Sequence, residues 1–206
     1  MINRMRNFWP LLIAGSIGAM GVQVACADDY QLLVGSYTAG QSQGIYRLKF
    51  DSASGQIDAM PLQVINSENP SWLTLSKDQR HLFVVNENGP GQKDPVGRVS
   101  SYAIDAKTHA LSLINQVQSL GNEPTHSSLS HDASHLFVSN YSVMEDPGGT
   151  LAVLPVAADG KLKPVVQMSA HPASRINLER QASNHVHSTV SSPDGRYVFS
   201  NDLGAD

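Results

Sequence analysis

The stretch His185-Val186-His187-Ser188-Thr189-Val190-Ser191-Ser192-Pro193-Asp194-Gly195-Arg196-Tyr197-Val198-Phe199-Ser200-Asn201-Asp202 joins two histidines two residues apart to a Ser-Pro-Asp-Gly turn and a short apolar run. Two earlier stretches have the same construction. One runs from Ser76 through Asp78 and Leu82-Phe83-Val84-Val85 to Asn86-Glu87. The other runs from Ser130 through Asp132 and Leu136-Phe137-Val138 to Asn140-Tyr141. The leading serines are 54 and 62 residues apart, and each copy ends on Asn or Asp. A fainter copy, Leu32-Leu33-Val34-Gly35-Ser36-Tyr37, lines up with Leu82 to Glu87.

Self-similarity at a period of this size marks an array of supersecondary units, and propeller blades fall within it. The intervening residues read as strands: Gly44 to Phe50, Val99 to Ile104 and Thr150 to Val156 are β-branched and aromatic runs bounded by turn residues. A turn and a further apolar residue follow each, at Ile57, Leu111 and Leu162. Four strands per period make an antiparallel blade. The expected fold is therefore all-β, an incomplete β-propeller of four-stranded antiparallel blades, with about three and a half blades present.

The first 27 residues differ in kind. Arg4 and Arg6 precede an apolar stretch from Phe8 to Val22, and Ala25-Cys26-Ala27 completes a secretory signal with an A-x-A cleavage site. The expected organisation is a signal peptide over 1–27 and an incomplete propeller over 28–206, the N-terminal half of a longer protein, in the periplasm or secreted. Cleavage removes the only cysteine, so no thiol or disulfide chemistry is expected. It also removes two of the 14 Lys and Arg and none of the 18 Asp and Glu, leaving a net charge of −6. That balance argues against nucleic acid as a partner, and no membrane association is expected after cleavage.

His187 and His185 lie at i and i+2 on a predicted strand and are expected on one side of the sheet. An imidazole titrates near neutral pH, which suits a general base. His126 follows Pro124-Thr125 at the opening of the third unit, one residue out of register with His187. Glu87 could activate water or satisfy turn amides. Asn86, Asn140 and Asp202 end equivalent strands, a repetition that favours bonding to loop backbone. Arg175 sits in the long 62-residue period, where a loop could overhang a site; Asp206 is a weaker candidate. His81, His109, His131, His135 and His171 read as surface residues. The His185 and His187 pair with Asp202 has donor types suited to a metal, but ligands would have to converge from other blades, and no metal or cofactor is expected. No Gly-x-Ser-x-Gly elbow, Walker loop, Cys-x-x-Cys or His-Glu-x-x-His occurs.

Leu33 to Thr38 with Gly44-Ile45-Tyr46, the run Leu82 to Glu87, and His187-Ser188 with Ser192 to Gly195 and Asp202 to Asp206 together resemble the seven-bladed propeller lactonases. This is the 6-phosphogluconolactonase-like family, with muconate lactonising propellers among its relatives. The resemblance implies hydrolysis of a sugar-acid lactone, a small-molecule substrate, at one end of the central channel. It also implies that the histidine opening the fourth blade, here His187, belongs to the site. The family's arginine and glutamate site residues lie in later blades and have no counterpart here. A secretory signal departs from the usual cytosolic phosphogluconate enzymes and points to an unphosphorylated substrate. Glu87 stands as the second catalytic candidate, and His126, His185, Asp202 and Arg175 as substrate-binding candidates. A muconate-type lactonising enzyme and a secreted binding module are the alternatives.

Overall fold

The computed structural model describes residues 29–142 and 148–205. The expected signal peptide and Asp206 lie outside the described residues. Among the described residues there is no helix.

Fourteen strands follow in order: β1 Asp29–Gly35, β2 Gly44–Asp51, β3 Gln56–Ile57, β4 Gln63–Asn66, β5 Pro70–Leu75, β6 His81–Asn86, β7 Arg98–Ile104, β8 Leu111–Gln118, β9 Pro124–Leu129, β10 His135–Asn140, β11 Thr150–Pro155, β12 Gln167–Ser169, β13 Val186–Ser191 and β14 Val198–Asp202. They form four antiparallel sheets, β1 to β4, β5 to β8, β9 to β12 and β13 with β14. The second and third are complete blades, each strand pairing with the next. In the first, β3 and β4 both pair with β2, so the sheet is three strands wide and β1 is its innermost strand. Its β1 matches β6 and β10, the second strands of the complete blades, as the alignment of Leu32 with Leu82 requires.

The turn before the second strand of each unit explains the repeat. Ser76, Ser130 and Ser192 donate their hydroxyls to Asp78, Asp132 and Asp194 at 2.6, 2.7 and 2.6 Å. The same serine oxygens accept from the backbone of His81, His135 and Tyr197. The hydrogen bond from its own serine is the largest influence holding each carboxyl below the ordinary aspartate range. Closing the turn takes a left-handed residue: Gln79 at φ 56°, Ala133 at 57° and Gly195 at 70°. Only the third copy places glycine there, the residue that adopts this conformation without a Cβ penalty.

The cores lie between sheets. Along β6, Leu82 and Val84 face the first sheet and join Ile45, while Phe83 and Val85 face the third and join Leu136, Val138 and Leu154. Burial on both faces is why Leu82 to Val85 reads as an unbroken apolar run instead of an alternation.

Polar ties repeat from sheet to sheet as well. The first strands β5, β9 and β13 run side by side, and their edge carbonyls are met by the preceding sheet: Thr74 donates to Ser127 O at 2.7 Å and Ser128 to Thr189 O at 2.6 Å. At the outer strands, the Gln63 amide brackets the backbone N–H and C=O of Leu111, both at 2.9 Å. The Asn115 amide does the same to Leu162. Buried or edge backbone groups otherwise left unpaired are thus satisfied.

Candidate active site

One backbone frame recurs where β5, β9 and β13 begin. The N–H groups of Glu87, Tyr141 and Leu203 donate to the carbonyls of Asn69, Glu123 and His185, each at 2.9 Å. Pro70, Pro124 and Val186 pair with Asn86, Asn140 and Asp202, the residues that end each copy. The register then slips by one residue, leaving Ser71, Thr125 and His187 as the extra residues of three equivalent β-bulges. Bulges re-aim a side chain and occur beside active sites. Trp72, His126 and Ser188 follow at the next level. The displacement of His126 from His187 by one position is thus a real difference in place: Thr125 is the counterpart of His187.

Both histidines of the pair meet one ring, that of Tyr141. His187 is exposed, with its ring edge-on to Tyr141 at 5.7 Å between centroids. His185 stacks on the same tyrosine at 4.7 Å. Its Nδ1 lies 2.7 Å from Ser142 O and 3.3 Å from Tyr141 O. Both oxygens are carbonyls, so Nδ1 carries a proton and donates. Tyr141, between the two histidines, is a residue that sequence reasoning missed; its only signal was its place after Asn140.

His126 is half-buried, tilted against Trp72 at 4.4 Å between centroids. Its Nδ1 accepts the Thr189 N–H at 3.3 Å, so in the neutral ring the proton sits on Nε2. Burial, and secondarily the charge of His187, lower its pKa. Trp72 bridges to the next sheet in the same way, its Nε1 donating to Ser127 O at 3.0 Å. Below this level the three first strands line a groove of about 530 Å³ with His126 and Trp72 on its wall.

Asp202 is 4% exposed at its side chain. One oxygen accepts from the N–H groups of His185 and Gly204, at 2.7 and 2.9 Å, and the other lies 3.0 Å from His171 Nδ1. Its place is that of a brace under His185, with His171, expected as a surface residue, as its partner. Glu87 accepts the Tyr37 hydroxyl at 2.8 Å between the first and second sheets, and among the described residues no hydrogen bond or ion pair joins it to His187. Burial first, and then this carboxylate, push the Tyr37 phenol up to about 12. Arg175 is exposed at φ 57° in the loop before β13, its N–H on Gln181 O at 3.2 Å, and among the described residues no hydrogen bond or ion pair joins it to the histidines. Among the described residues no three His, Cys, Asp or Glu side chains converge as metal ligands.

Residues 31–206 match the family described as Lactonase, 7-bladed beta-propeller. A 6-phosphogluconolactonase of Bacillus subtilis is 31% identical over 173 residues, 84% of this chain and 46% of that protein. A 6-phosphogluconolactonase of Formosa agariphila is 31% identical over 176 residues, 85% and 47% of the two chains. The solved periplasmic gluconolactonase of Pseudomonas aeruginosa superposes with a TM-score of 0.82 at 56% identity, over 87% of this chain and 48% of that one. The chain spans about half the length of the relatives it matches. A backbone frame repeated in three of the four sheets, together with these matches, places it in the seven-bladed β-propeller lactonase family.

Proposed function

We propose that the protein to which this chain belongs hydrolyses an unphosphorylated sugar-acid lactone in the periplasm, at the channel mouth where β9 and β13 begin. The observation that carries the reading is the exposed His187 imidazole on a β-bulge, one level from a neutral His126 whose Nε2 bears a proton. Likeness to a periplasmic gluconolactonase supports the substrate class and the compartment.

His187 accepts a proton from water as its oxygen bonds to the lactone carbonyl carbon. The carbonyl oxygen becomes an oxyanion, which donors at the mouth stabilise, with His126 Nε2–H as one of them. When the tetrahedral centre collapses, the ring C–O bond breaks and the proton passes from His187 to the departing ring oxygen. The product is an open hydroxy acid, with no atom unaccounted for. His185 acts indirectly: stacked on Tyr141 and braced by Asp202, it holds the backbone that presents His187. In the assembled ring Glu87 is the second catalytic candidate and Arg175 a substrate contact.

The test is turnover of δ-gluconolactone and its 6-phosphate by the full-length gene product and its His187→Ala variant. A preference for the unphosphorylated lactone, lost in the variant, is the expected result. Equal rates in both proteins would remove His187 from the chemistry, and no turnover of either lactone by the parent protein would reject the lactonase reading.

A further inference from the structure

Between the first and second sheets, at the end of β5 remote from His187, lies a cavity of about 350 Å³. Tyr30, Gln31, Arg47, Gln79 and His109 are among its walls, and none of the residues lining it is acidic. Arg47 is only 8% exposed. Its Nη1 donates to Gln31 Oε1 at 2.8 Å and to Thr108 O at 2.7 Å, both neutral acceptors. Its Nε is buried without an acceptor. Asp105, which opens the turn carrying Thr108 and His109, accepts from the N–H groups of that turn. A guanidinium stays charged at every relevant pH, and burying one without a counter-charge is costly.

The next inter-sheet cavity, about 480 Å³, is its counterpart, with His81, Phe83, Leu129 and Ala133 where the first has Gln31, Leu33, Leu75 and Gln79. Arg47 pairs with Leu33 and Ser101 pairs with Phe83, so Ser101 stands at the position of Arg47. Its hydroxyl makes the equivalent tie to the following sheet, donating to Gly160 O at 2.6 Å. A neutral side chain is therefore enough for the structural contact, and the positive charge at Arg47 answers another need.

We infer that the cavity beside Arg47 is a binding site for a small oxyanion, a carboxylate or phosphate group seated on the guanidinium edge that Gln31 and Thr108 leave free. The Nη2 end of that edge can give such an anion a charge-assisted hydrogen bond. The site is independent of the chemistry at His187.

Calorimetric titration of the full-length gene product with sodium phosphate and with sodium acetate, against sodium chloride at matched ionic strength, tests this. Saturable binding of one oxyanion per chain is expected, and the tighter of the two identifies the group recognised. His187→Ala should bind unchanged. Gln79→Glu, which brings a carboxylate to the cavity wall and leaves Arg47 in place, should weaken binding at least tenfold, as should Arg47→Ser. Absence of saturable binding, or undiminished binding in Gln79→Glu, would overturn the inference.

Discussion

Thr189 donates its backbone N–H to Nδ1 of His126 from the neighbouring sheet, at 3.3 Å. This bond fixes which nitrogen of His126 carries the proton, and it holds only while the ring is neutral. The folded pKa lies below the ordinary value of 6.5, first through burial and then through His187. Just below pH 6.5 the unfolded chain therefore binds more protons than the folded one, and stability declines as pH falls through that range. Chemical denaturation between pH 7.5 and 5.5 should show this decline, and His126→Gln should flatten it. An equal slope in both proteins would refute the linkage.

The two histidines of the His-x-His pair should separate by phenotype. His187→Ala removes an exposed ring, so stability should change by less than about 0.5 kcal/mol, while kcat/KM for the lactone falls by roughly 10² to 10⁴. His185→Ala deletes the stack on Tyr141 and the hydrogen bond to Ser142 O. It should destabilise by about 1–2 kcal/mol. Denaturation midpoints and steady-state kinetics on the same pair of variants check both halves.

The repeated turn predicts opposite outcomes at equivalent positions. Ala133 is held at φ 57°, so Ala133→Gly should stabilise by about 0.5–1 kcal/mol. Gly195→Ala should destabilise by at least about 1 kcal/mol, since φ is 70° and the new Cβ would meet His131 Cβ at 2.7 Å. Denaturant midpoints of like sign for the two variants would contradict the turn account.

Tyr37 reports on Glu87. With its phenol pushed up to about 12, Tyr37 should stay protonated well beyond pH 10 in ultraviolet or NMR titration. Glu87→Gln removes the charge and should bring the midpoint down, leaving the part of the rise that burial causes. An unmoved midpoint would mean that burial alone accounts for it.

The modules were legible because their signature is local. Ser76, Asp78 and His81 bond within five residues of one another, and the same bonds recur from Ser130 and Ser192, so a linear comparison finds them. Strand positions followed from apolar runs that neighbouring sheets bury on both faces. The bulge at His187 was hidden, because a slip in register belongs to a pair of strands and β14 had to be aligned with β13 to reveal it. Tyr141, His171 and Arg47 escaped notice for the same reason. Their partners lie 44, 31 and 61 residues away, at His185, Asp202 and Thr108. The width of the first sheet was equally unreadable, since β3 and β4 look like two strands and occupy one edge of β2.

The extra residue of each bulge is skipped by the pairing ladder. Ser71, Thr125 and His187 can therefore differ without disturbing a single strand register. A duplicated module meets little architectural resistance at that one place, and chemistry can diverge there copy by copy while the scaffold stays constant. Two hydroxyls and an imidazole on identical backbone are what such freedom leaves behind.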